Sequence, residues 1–249
     1  MIRIACRSIK PLVRLWGRCT ALLARKTWRH SSLLLRPLGW SKLSIQHLDR
    51  NDANYVNVSK DSSAVSAVFR KFAESGGQNA TAAEMPIGLW TFDNAIVPYN
   101  TKFPAVQQEN QLWITPRLED GPFNYYASQT LEGASGIYAQ DGDEVLIAPP
   151  KQRLTVAEAA YVGMRAPHNW GHWLTNFLPG VMLASEFFSE DNSPPLIVPE
   201  DYICSSSRVE LFHHFWRERQ VIRLQNRQEL QATKLYWFEQ PVYDSPRPS

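Results

Sequence analysis

The strongest constraint on how this chain folds lies in residues 154–249, where strand-length apolar runs alternate with segments of helical period. Val156 to Met164 reads as a strand, and Trp170 to Phe188 as a helix that Pro179 is expected to kink. Pro195-Leu-Ile-Val198 is a short apolar strand. Ser207-Arg-Val-Glu210 has the form of a capping box and opens a helix through Trp216. Gln220 to Leu224 and Lys234 to Phe238 follow as strands. Such βα succession predicts a parallel sheet with right-handed crossovers, a Rossmann-like α/β domain over 154–249. Ligands of such sheets sit beyond the carboxyl ends of the strands.

The texture in front of this domain is different. Residues 85–153 carry short apolar runs cut by turn residues: Gly88 to Phe92, Ala95 to Val97, Phe103 to Val106, Leu112 to Thr115 and Glu144 to Ala148. The Asp93-Asn94 and Glu109-Asn110 steps read as turns between strands, which makes this a β-rich region. Residues 49–84, rich in Asn, Asp, Ser, Ala and Gly, read as a linker with one amphipathic patch at Val65, Val68, Phe69 and Phe72.

Residues 1–48 form a basic leader. They hold ten Lys or Arg and no acid, which leaves 16 basic against 24 acidic groups in the remainder. The net charge of +2 therefore hides an acidic body with a basic tail. Arg3, Arg7, Lys10, Arg14, Arg18 and Arg25 recur at helical steps, beside Ile2, Ile9, Val13, Trp16 and Leu23. Peripheral contact with an anionic membrane surface, a basic tail and a transit peptide all fit this pattern. No downstream module for reading nucleic acid accompanies it. Cys6, Cys19 and Cys204 are dispersed, which favours a reducing, cytoplasmic setting over a disulfide framework. No apolar run approaches membrane-spanning length.

Chemistry concentrates in Asn169-Trp-Gly-His-Trp-Leu-Thr-Asn-Phe-Leu-Pro179. Asn169, His172 and Asn176 fall at i, i+3 and i+7, so in an unbroken α-helix they share one face. Trp170, Trp173, Leu174, Phe177 and Leu178 supply an apolar surface beside it. Asn169 is a good N-cap. His172 would lie in the first turn, where the helix dipole disfavours imidazolium. A neutral imidazole beside unpaired amides suits an anionic or hydroxyl-rich ligand. The competing reading makes His172 structural and the tryptophans core. His168 and His172 also stand at metal-ligand spacing, with no third ligand in the pattern, so a metal-dependent hydrolase is a distant alternative. Asp141-Gly-Asp-Glu144 lacks the further oxygen ligands of a calcium loop and reads as an acidic turn. Asn79-Ala-Thr81 matches the glycosylation acceptor pattern but carries little weight without a signal peptide. Gly180 is the final glycine, so no glycine-rich phosphate loop follows it.

Asn169-Trp-Gly-His-Trp-Leu, then Leu178-Pro179, then Pro195-Leu-Ile-Val-Pro199 and Gln220 to Leu224 resemble the signature of family 61 glycosyltransferases, which include capsular polysaccharide biosynthesis proteins. The similarity runs over roughly residues 155–244. It implies one half of a two-domain GT-B architecture, with the chain corresponding to the family's front half. It implies no cofactor, a nucleotide-sugar donor as substrate and a surface polysaccharide or other glycan as acceptor. Carried onto this chain, it makes His172 the catalytic candidate and Asn169, Trp170, Trp173 and Asn176 substrate-binding candidates. Two positions depart from the family pattern: Asn176 stands where an acid is frequent, and Gly180 where arginine is. The family's second half carries a His-Gly-Ala-type motif, and this chain has no His-Gly pair. A non-catalytic glycan-binding or interaction module derived from such an enzyme is therefore the alternative expectation.

Overall fold

The structure, a computed structural model, describes residues 40–49, 52–57, 88–99, 105–114, 137–163 and 169–238. Most of the basic leader, most of the linker with its amphipathic patch and Asn79, and His168 lie outside the described residues. The fold is mixed α/β and β-rich. Its strands are β1 Ser41–His47, β2 Tyr55–Asn57, β3 Gly88–Pro98, β4 Ala105–Gln108, β5 Gln111–Ile114, β6 Ile137–Asp141, β7 Glu144–Ile147, β8 Gln152–Val162, β9 Leu196–Pro199, β10 Val221–Leu224 and β11 Gln228–Phe238. All eleven belong to one sheet, in the order β10-β9-β8-β11-β3-β4-β5-β1-β7-β6, with β2 paired to β3.

The expected parallel arrangement holds for one part of the sheet. β10 pairs parallel with β9, β9 with β8, and β8 with β11. The expectation of a clear, separate Rossmann domain does not hold. β11 pairs antiparallel with β3 along nearly its whole length and so joins the parallel strands to the front strands in one sheet. Sequence reading shortened β11 to Lys234–Phe238 because Gln228, Gln231 and Thr233 interleave with Leu230 and Ala232. That interleaving is the alternation of a strand with one buried face.

The Asp93-Asn94 step also departs from expectation. β3 runs straight through it. Asn94 adopts φ 50°, a left-handed conformation that Asn tolerates better than most residues. At this level the inward residues of β3 change parity, from Trp90 and Phe92 to Ala95 and Val97. β11 does the same between Ala232 and Leu235, and β8 between Val156 and Ala159. The ladder partners step from Ala232 to Lys234 on both sides of β11, passing over Thr233. One extra residue at the same level in three neighbouring strands bends and twists a sheet sharply, as a bulge does in one.

The bend rolls the sheet around its own aromatic face. Tyr55, Trp90, Trp237, Tyr161 and Ile197 are successive cross-strand partners over β2, β3, β11, β8 and β9. Trp90, Trp237 and Tyr161 are fully buried there. Burial of the ring carbons is favourable, and the buried Nε1 groups of Trp90 and Trp237, without a hydrogen-bond partner among the described residues, offset part of that gain. The roll is visible in one contact. Tyr99, just past β3, donates its hydroxyl to Asp201, just past β9, at 2.8 Å. Three strand spacings separate β3 from β9 in the sheet order, about 14 Å if the sheet were flat.

Two hairpins show how turn chemistry is met. Gly142, at φ 56°, begins the two-residue turn between β6 and β7, so Asp141 to Glu144 is a hairpin turn. Glu109, at φ 53°, has the same place between β4 and β5. A positive φ at the first turn position is where glycine is preferred, and a side chain there costs about 1 kcal/mol. Glu109→Gly is therefore expected to raise unfolding free energy by about 1 kcal/mol, read as a higher urea midpoint with an unchanged slope; a lower midpoint refutes it.

Tyr99 and Tyr161 make the fold sensitive to alkali. Burial, then the Asp201 hydrogen bond, pushes the Tyr99 phenol above its ordinary range. Burial does the same for Tyr161. A raised pKa means the folded chain prefers the neutral phenol. This contribution is complete below the ordinary tyrosine value of about 10 and is lost as pH rises above it. Urea titrations should show stability falling above about pH 10, and the Tyr99→Phe, Tyr161→Phe double variant should flatten that fall; an equally steep fall in the variant overturns the assignment.

Candidate functional site

The parallel strands β8 and β9 are neighbours, and the segments that follow them meet. After β8 comes α1 Trp170–His172, then a π-helical turn Trp173–Phe177, then α2 Leu178–Phe187. After β9 come a 3-10 turn Glu200–Ile203 and α3 Ser206–Trp216. The convergence lies where ligands of parallel sheets bind.

Asn169 caps the helix as expected. Its backbone is extended, and its Oδ1 accepts the Gly171 amide at 2.9 Å and the His172 amide at 3.4 Å. The Trp173 amide goes to the Asn169 carbonyl at 3.0 Å. Of the amides expected to stand unpaired beside His172, the cap takes those of Gly171 and His172. The disruption expected at Pro179 takes the form of the π turn. Proline has no amide to offer the carbonyl four residues back, and the Leu178 amide reaches Trp173 O, five residues back.

Asn169 and His172 are exposed, whereas Asn176 is only 9% exposed and turned inward. The expectation of one shared open face therefore holds for Asn169 and His172 and not for Asn176, which the packing of neighbouring segments covers. Among the described residues the His172 imidazole has no hydrogen-bond partner. His213 and His214 are exposed on α3.

Trp173 anchors the arrangement. It is fully buried and donates Nε1 to the Tyr202 carbonyl at 2.6 Å, which ties the segment after β8 to the segment after β9. Phe177 meets Tyr202 edge-on and lies parallel to Phe212 of α3. Gly180 explains itself by proximity: a Cβ there would lie 2.6 Å from Val162 Cγ1, so α2 sits flat on β8 only without one. An arginine at this position would not fit.

Trp170 is the outward member. It is 40% exposed, and its ring stacks on Trp173 with centroids 5.4 Å apart and planes 2° from parallel. Arg208 packs against both indoles, its guanidinium carbon 5.5 Å from the Trp170 centroid and 5.8 Å from that of Trp173. Arg208 is only 4% exposed and donates Nη1 to Cys204 Sγ at 3.8 Å. α3 is capped by Ser205, whose Oγ accepts the Arg208 amide at 3.4 Å, and not by Ser207. This earlier start puts Arg208, not Glu210, at the third helical position. Sequence reasoning missed Arg208 because nothing in its local pattern links it to tryptophans more than thirty residues earlier.

The candidate residues thus divide. Trp170 and His172 face solvent together with Asn169, whereas Trp173 and Asn176 are interior. No group of three or more His, Cys, Asp or Glu side chains assembles among the described residues. Among the described residues no helix is long and apolar enough to cross a membrane. Asn169→Ala should cost about 1 kcal/mol of stability through the lost cap, whereas Asn169→Asp should stay near the original value. Equal losses in a urea melt would show that the cap is not what Asn169 provides.

No protein-family model, curated protein or solved structure matches the chain.

Proposed function

We propose that this protein handles carbohydrate in the manner of a family 61 glycosyltransferase, moving a sugar from a nucleotide-sugar donor to a surface polysaccharide acceptor. The observation that carries the reading is the exposed ring of Trp170, held flat on Trp173 beside His172. An indole fixed this way offers a rigid apolar face on which a pyranose ring can stack at little entropic cost. It falls within the motif that carries the family resemblance. In this reading the acceptor sugar rests on Trp170. Its hydroxyl oxygen attacks the donor's anomeric carbon, the nucleotide diphosphate departs, and the hydroxyl proton passes to His172. Trp173 and Asn176 act from the interior, Trp173 as the backing of the platform. Transfer in this reading takes place at the cytoplasmic face of a membrane that residues 1–48 contact.

Two observations favour the second reading, a glycan-binding module without transfer. His172 has no partner among the described residues to orient it as a base. Two of the first-turn amides that would hold a donor diphosphate, those of Gly171 and His172, are taken by the Asn169 side chain. Calorimetric titration of the full chain with nucleotide sugars, and separately with capsular oligosaccharides, divides the readings. Donor binding with transfer that His172→Ala abolishes is the enzyme's signature. Oligosaccharide binding alone, lost in Trp170→Ala, is the module's. Binding of neither class removes both.

A further inference from the structure

The charge lying against Trp170 has a consequence for what the platform accepts. Arg208 is a buried guanidinium cation. Its central carbon is within cation–π range of the exposed indole and of the indole beneath it. The π cloud that would otherwise attract a cation is thus already engaged by one. The N-terminus of α3, at Ser205, adds potential of the same sign. Of the two acids preceding it on the 3-10 turn, Glu200 and Asp201, the second is turned away to the Tyr99 hydroxyl.

We infer that Arg208 gives the Trp170 platform a charge preference, for anionic ligands over cationic ones. Resting on the carbohydrate reading above, this makes an acidic sugar such as a uronate the favoured occupant and a free amino sugar the disfavoured one. Arg208 is a positioning and specificity residue in this account: it is too buried to bind the sugar itself, and it acts through the ring it packs against.

The test has one arm that needs no sugar. The fluorescence component removed by Trp170→Phe reports the exposed indole, and its quenching by iodide and by caesium reads the local charge. With each quencher's constant divided by that for free N-acetyltryptophanamide, iodide is expected to quench that component on the order of threefold more effectively than caesium. Arg208→Met, which keeps the stem and loses the charge, should bring the two quenchers together, while Arg208→Lys should retain part of the difference. Equal quenching in the unaltered chain, or a preference that survives Arg208→Met, overturns the inference. In the second arm, glucuronate should bind the full chain on the order of fivefold more tightly than glucosamine, and the reverse order overturns the inference as well. Iodide preference without binding of either sugar supports the charge assignment and sinks the carbohydrate reading.

Discussion

Everything in this fold depends on the two ladders of β11. One edge pairs parallel with β8 and the other antiparallel with β3, so a single strand is the seam between two styles of sheet. Because β8 and β3 share this neighbour, they also share its bend. Asn94, Thr233 and Ala157 lie at the level where all three strands change parity, and the aromatic residues on either side of that level are gathered onto one inner face. The extra residue in each strand sharpens the bend there, with Trp90, Trp237 and Tyr161 on the inner face.

The candidate site inherits its geometry from this bend. β8 and β9 deliver their following segments to the same place, and Trp173 joins them through Tyr202. The helix start is built of groups already satisfied: Asn169 takes the amides, Arg208 packs under the indoles, and Gly180 lets α2 lie on Val162. What remains exposed is part of the Trp170 ring and the His172 imidazole. A site of that kind is better prepared to recognise a ring than to hold a phosphate, and the carbohydrate reading draws its support from that asymmetry.

Of the back-half strands, β9 and β10 were legible because each is short and bounded by turn residues or prolines, whereas β8 and β11, longer and partly polar, were legible only in part. The Asn169 cap was legible too, since capping is a local transaction within one turn. Three things were not. Asn94 has the chemistry of a turn, and only the pairing partners of β3 show that it serves as an irregularity inside a strand. The π turn follows from Pro179, but whether a proline yields a kink or a wider turn is decided by what the neighbouring rings can pack against. The partnership of Arg208 with Trp170 and Trp173 is purely tertiary, between residues whose separation in sequence carries no period.

The position of β11 also bears on how the chain reaches this state. β11 follows all ten of the other strands in the sequence, yet it stands between β8 and β3. During synthesis from the amino end, β3 and β8 emerge with facing edges and aromatic inner faces but no strand to join them. The sheet cannot close until residues 228–238 have left the ribosome and inserted between partners made long before. Non-local insertion of this kind is slow, and it leaves Trp90 and Tyr161 uncovered for the interval. Until β11 inserts those faces are open to aggregation, so folding yield depends on the length of that interval as well as on the stability of the finished sheet.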